Sequence, residues 1–156
     1  MGALQHTGWV TTLATSRWLY GLVSVVHYSA VFFCVGTIVL LDLRILGVAF
    51  RNQALSVLAE QLRPWTWIGV GAVAVSGLLL FATEAGSFAT VTPFRLKMLV
   101  IVLAVVSALA SEWSVPKWDR APAMPVTAKV VALISILLWL GAMFVSVEVP
   151  VLTGLG

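Results

Sequence analysis

Four stretches of the chain run apolar almost without interruption, and charged, proline and amide residues gather between them. The runs cover positions 18–43, 65–83, 93–113 and 129–149. Each is close to or above the roughly 20 residues that an α-helix needs to cross the hydrocarbon core of a bilayer. Main-chain N–H and C=O groups find no partners in lipid, so such a run must close its own hydrogen bonds as a helix or pair within a closed barrel. Barrel strands alternate apolar and polar over about ten residues. These runs are longer and do not alternate, so the pattern predicts an all-α membrane protein with four helices. Pro93 suits a first helical turn, and Pro150 stops the last run.

Between the first two runs, Leu55, Leu58 and Leu62 recur at helical spacing while Gln53, Ser56, Glu60 and Arg63 fall mostly on other faces. This predicts an interfacial helix over about 52–63. Positions 2–16, with Trp9 and Leu13 one turn apart, have the same character. Positions 114–127, rich in proline and charge, predict a loop. The first run follows a single basic residue, Arg17, exceeds a signal-peptide core in length and ends in no small-x-small site, so it is expected to be a retained span.

Composition agrees. Of 156 residues, 61% are hydrophobic and 10% charged, and the mean hydropathy is +1.07. A soluble domain carries about 25% charged residues. The net charge of +3 comes from basic residues scattered at run ends and forms no patch for nucleic acid. Six of the nine Lys and Arg lie in the first and third connections or at their borders (Arg44, Arg51, Arg63, Lys117, Arg120, Lys129). Arg17, Arg95 and Lys97 lie on the other side. The positive-inside rule then puts both termini outside, in the periplasm of a bacterial inner membrane. Of seven tryptophans, all but Trp139 fall at or beyond the ends of the runs, where indole rings favour the headgroup region. A single cysteine, Cys34, excludes an intramolecular disulfide.

Small residues suggest how the helices meet, because close backbone approach drives helix association in lipid. Gly69, Ala72 and Ser76 share one face of the second run. Ala104, Ser107, Ala108 and Ser111 do so on the third, and Ser135, Ala142 and Ser146 flank Trp139 on the fourth. A four-helix bundle is the expected result.

The candidate chemistry sits mainly on the first run. Tyr20, Ser24, His27, Cys34 and Asp42 fall within one quadrant of a helix of 3.6 residues per turn. Polar groups within a membrane face the bundle interior or a cavity, so this stripe is expected to face the other helices. His27 lies about nine residues into the run, roughly 14 Å along the axis. Its imidazole could ligate haem iron or copper or relay protons, or be a buried histidine bonded to a neighbouring hydroxyl or carbonyl. With Met98 and Met143 in the same half of the membrane, a His/Met metal set of His27, Met98 and Met143 is a candidate, although methionines at helical spacing also serve as packing. Lys97 either snorkels to the headgroups or faces inward near His27 to hold a carboxylate such as a haem propionate. His6 is too near the N-terminus to be assigned a place. The sequence holds no CxxCH, HExxH or Walker loop, and no paired histidines on two helices for a two-haem site.

His27-Tyr28 through Gly36 to Asp42-Leu43-Arg44-Ile45-Leu46-Gly47, with Pro64-Trp65-Thr66-Trp67, Ser76-Gly77-Leu78-Leu79-Leu80-Phe81 and Phe94-Arg95-Leu96-Lys97, resembles a bacterial family of uncharacterised four-helix inner-membrane proteins over most of the chain. More distantly, the chain is similar to four-helix membrane protoporphyrinogen oxidases and copper-resistance membrane proteins. In the oxidases a first-span histidine and a lysine opening the third span are the functional residues, and His27 and Lys97 match them. That similarity implies haem b or a porphyrin. The chain departs from the oxidases in having Asp-Leu-Arg where they carry a Leu-Pro-Arg type segment, and in lacking their C-terminal Asn-Glu-x-Pro-Thr stretch.

The leading expectation is therefore an inner-membrane subunit or binding module, working with other membrane subunits or as a homo-oligomer. It would hold haem b or flank a quinone pocket through His27, Lys97, Tyr20 and Ser24. A porphyrin-handling oxidoreductase, a copper transport or resistance protein and a ligand-free anchor remain open, so whether it is an enzyme stays undecided.

Overall fold

The computed structural model describes the backbone of residues 8–88 and 92–153, and the side chains among them except those at 9, 14, 84–88, 92–94 and 147–153. His6 lies outside the described residues. Five helices follow one another: α1 (Gly8–Thr15), α2 (Arg17–Leu46), α3 (Leu55–Phe88), α4 (Thr92–Asp119) and α5 (Val126–Thr153). No strand occurs among the described residues. The last four contain stretches long and apolar enough to cross a membrane, at Arg17–Leu46, Leu55–Thr83, Arg95–Asp119 and Val126–Ser146.

Local chemistry sets the ends of α2. The Ser16 hydroxyl accepts from the Leu19 N–H at 3.4 Å and caps the start. The helix ends at Gly47, whose φ of 74° is a left-handed conformation that glycine adopts without strain. Its N–H reaches the Arg44 carbonyl, and the Val48 N–H reaches the Leu43 carbonyl, which closes two otherwise unpaired acceptors.

The helices pack up and down in a ring. The most extensive contact joins α2 to α3, followed by α4 to α5; α2 also meets α5 and α3 meets α4, while α1 lies against α2 and α3. The α2–α3 approach depends on Gly69: a Cβ there would lie 3.0 Å from the Cys34 Cβ and 3.1 Å from its Cα. One apolar cluster joins Ile45, Leu55, Ala59, Val115, Trp118, Ala128 and Ala132 near the connections 47–54 and 120–125. A second, near mid-bundle, joins Cys34, Val35, Ile38, Ala104 and Trp139.

Large apolar side chains cover the exterior, around an interior that is itself apolar apart from a few polar groups. Trp18, Phe32, Leu78, Leu99, Leu137 and Phe144 stand on the exterior, whereas Thr37, Asp42, Ser76, Ser111 and Ser135 are buried. Water cannot favourably wet such a surface; hydrocarbon can.

Three sequence expectations change. The segment 52–63 is not a separate interfacial helix, because α3 runs unbroken from Leu55 through Pro64. Leu55, Leu58 and Ala59 are buried, and Leu55 and Ala59 pack into the first cluster, which holds this lead-in to the span despite the missing proline N–H. Positions 114–127 are not wholly a loop: α4 continues through Pro116 to Asp119. Pro150 does not stop the last helix, because α5 continues through it to Thr153.

Polar side chains fasten the connection end. The Asp119 carboxylate accepts from the Leu55 N–H (Oδ1, 3.0 Å) and from the Ser56 hydroxyl (Oδ2, 2.6 Å). The end of α4 thereby caps the start of α3. Arg44 donates to the Gln53 carbonyl from Nε at 2.9 Å and from Nη2 at 2.6 Å, and Arg51 Nε donates to the Gly47 carbonyl.

Candidate functional site

Two polar places interrupt the apolar interior, one in each half of the bundle. The first is centred on His27, whose Nδ1 lies 2.9 Å from the Ser76 hydroxyl of α3. Ser76 in turn donates to the Ala72 carbonyl at 2.5 Å. In the tautomer with its proton on Nδ1, the ring donates to Ser76 and Nε2 keeps a lone pair; the Val73 backbone also approaches the imidazole. Fixing one ring nitrogen by a hydrogen bond is how a protein orients the other toward a metal or a ligand proton. Gly77 makes room for the ring: a Cβ at that position would stand 3.2 Å from the His27 Cε1. Lys97, half-buried on α4, lies close enough to act electrostatically on the imidazole.

Of the other residues expected at this site, Ser24 donates to the Tyr20 carbonyl at 2.8 Å, within its own helix. Tyr20 is half-buried on the same stretch of α2. Met98 is 40% exposed, and Met143 packs against the cluster of Cys34, Ala104 and Trp139. Among the described residues, no group of three or more His, Cys, Asp or Glu side chains is arranged to hold a metal ion.

The second place is a cavity of about 70 Å³ toward the connection end, with Thr37, Asp42, Thr66, Ser111, Glu112 and Trp139 among its lining. Asp42 is 1% exposed, Ser111 2% and Trp139 9%. Asp42 Oδ2, Ser111 Oγ and Trp139 Nε1 have no hydrogen-bond partner among the described residues, nor does Ser135 Oγ. Ser135 approaches the Asp42 carboxylate without reaching hydrogen-bond geometry. Thr66 and Thr37 bond to each other at 2.9 Å. Arg63, half exposed, holds Glu112 at 2.9 Å across α3 and α4.

The sequence stripe anticipated that His27, Cys34 and Asp42 face inward, and they do. It did not identify the cavity, whose other walls come from α3, α4 and α5. The available signal was the small-residue positions: Ser111 and Ser135 stood out as packing residues, and they prove to be buried hydroxyls without partners.

Comparison of the chain with protein-family models, with curated proteins and with solved structures finds no match.

Proposed function

We propose that the chain is a four-span integral membrane protein, with both termini on the periplasmic side of a bacterial inner membrane, and that it serves as a binding module centred on His27. The apolar exterior and the four bilayer-length helices support the membrane reading. The single observation that carries the binding reading is the His27–Ser76–Ala72 relay. With the proton on Nδ1, it leaves Nε2 as a lone-pair donor on a ring that Lys97 influences electrostatically.

A lone pair next to a cation suits a ligand that offers a metal or an acidic hydroxyl together with a carboxylate or carbonyl oxygen. Haem b and a quinone both meet that description. For haem b, His27 would hold the iron and Lys97 a propionate; when bound, the group would supply one-electron redox chemistry. For a quinone, His27 Nε2 would accept from a hydroxyl and Lys97 would donate to a carbonyl. Tyr20 and Ser24 extend the same helix face. Work alongside other membrane subunits, or as a homo-oligomer, fits a module with this little chemistry of its own. Copper held by His27, Met98 and Met143 draws less support, because Met98 is turned to the bundle exterior.

The test is spectroscopic. Protein purified in detergent should show a reduced-minus-oxidised haem b difference spectrum that His27→Ala abolishes, or should retain extractable quinone that His27→Ala releases. A colourless, quinone-free protein would overturn the binding reading. Copper in stoichiometric amount, lost in Met143→Leu, would replace it. Porphyrinogen oxidation that depends on Lys97 would make the module an enzyme. Membrane insertion is tested separately, by resistance of the membrane-bound chain to alkaline extraction.

A further inference from the structure

We infer that the cavity around Asp42 is a proton-loading site: a small body of water enters past the Arg63–Glu112 pair and exchanges a proton with the Asp42 carboxyl. The inference rests on the four-span membrane reading and is independent of any ligand at His27.

Three observations carry it. First, Asp42, Ser111 and Trp139 are each more than nine-tenths buried, line one cavity, and have polar atoms without a partner in the protein. Buried polar atoms are ordinarily hydrogen-bonded, to protein or to ordered water. Second, a volume of about 70 Å³ exceeds the roughly 10–15 Å³ that admits one water, so several fit. Third, the unpartnered set mixes functions: a carboxyl oxygen, a hydroxyl and an indole N–H. Water, which both donates and accepts, satisfies all three. A metal cation suits the site poorly, because Trp139 and Arg63, whose polar groups only donate, are both among its lining. An anion suits it poorly because Asp42 and Glu112 both line it.

The charged groups around Asp42 are few. Among the cavity-lining residues, α3 contributes Arg63 and α4 contributes Glu112, and these two are paired. From α5, Trp139 lines the cavity and Ser135 approaches the carboxylate, both uncharged. Arg44, two residues along α2, is committed to the Gln53 carbonyl. Among the described residues no cation therefore neutralises Asp42 directly, and an uncompensated charge in a low-dielectric interior takes up a proton instead. In that exchange one O–H bond forms on the carboxylate as one breaks on the adjacent water, and no electron is transferred.

Infrared spectroscopy of the full chain in lipid nanodiscs tests this. We expect a carboxylic-acid C=O band that is absent in Asp42→Asn, weakens as pH rises, and shifts within minutes of transfer to D₂O. Ala108→Phe, which fills the cavity and leaves Asp42 in place, should slow that deuterium shift at least tenfold. The inference is overturned if no Asp42 band appears at any pH, if the band ignores D₂O, or if sodium at fixed pH removes it, which would make the cavity a cation site. Should Asp42→Asn fail to fold, the Ala108→Phe exchange rate decides. Failure of the membrane reading would be visible earlier and separately, as a chain that stays soluble without lipid.

Discussion

At His27 a polar side chain meets a hydroxyl on the neighbouring helix, and that hydroxyl hands its own proton to a carbonyl. At Asp42, 15 residues further along the same helix and roughly 22 Å away at 1.5 Å per residue, the carboxylate is more deeply buried and yet has an oxygen without a protein partner. The halves differ in how the facing helices are built. Opposite His27, α3 offers Ser76 and Gly77, one to bond the ring and one to let it approach. Opposite Asp42, the hydroxyls of Ser111 and Ser135 and the indole of Trp139 stay unpartnered. A closed network fixes a side chain and prepares its free atom. An open one leaves a place for solvent or solute.

The variant with the largest expected effect removes the common support of both halves. Gly69→Leu forces a side chain into the Cys34 backbone and should destabilise the bundle by at least about 3 kcal/mol, read as a fall in thermal midpoint by circular dichroism in one fixed detergent. If stability is kept, the tight α2–α3 approach does not govern either site. Asp119→Ala comes next. It leaves the first turn of α3 without its cap and should cost about 1.5 kcal/mol, with amide exchange rising at Leu55 and unchanged at Ser76. A third pair sharpens the contrast itself. Ser76→Ala should cost about 1 kcal/mol by depriving the imidazole of its acceptor, while Ser111→Ala should change stability by less than about 0.5 kcal/mol, since it breaks no protein hydrogen bond. Equal losses would mean that the two networks do not differ. Smallest is Arg63→Ala, below about 0.5 kcal/mol for an ion pair with one half-exposed partner, and weaker still in high salt.

Much of this was legible in the sequence. The long helices follow from uninterrupted apolar length, and the inward turn of His27 and Asp42 follows from their angular spacing. The passage of α3 through Pro64 was hidden, because a proline ordinarily marks a boundary; what carries the helix past it is burial of Leu55 and Ala59 against Ile45, Val115 and Ala132, a contact among distant segments. The cavity was hidden for the same reason. One helix's periodicity shows which side faces inward, but not which residues of three other helices stand opposite. Ser111 and Ser135 could be recognised as small, and only their juxtaposition with Asp42 and Trp139 gives them chemical meaning.

The cap that Asp119 places on α3 crosses 64 positions of sequence. During translation, α3 emerges long before the residue that completes its first turn. A nascent chain interrupted before Asp119 would hold the Leu55 N–H and the Ser56 hydroxyl with that acceptor still unmade. The first turn of α3 thus receives its cap only when the end of α4 has been synthesised.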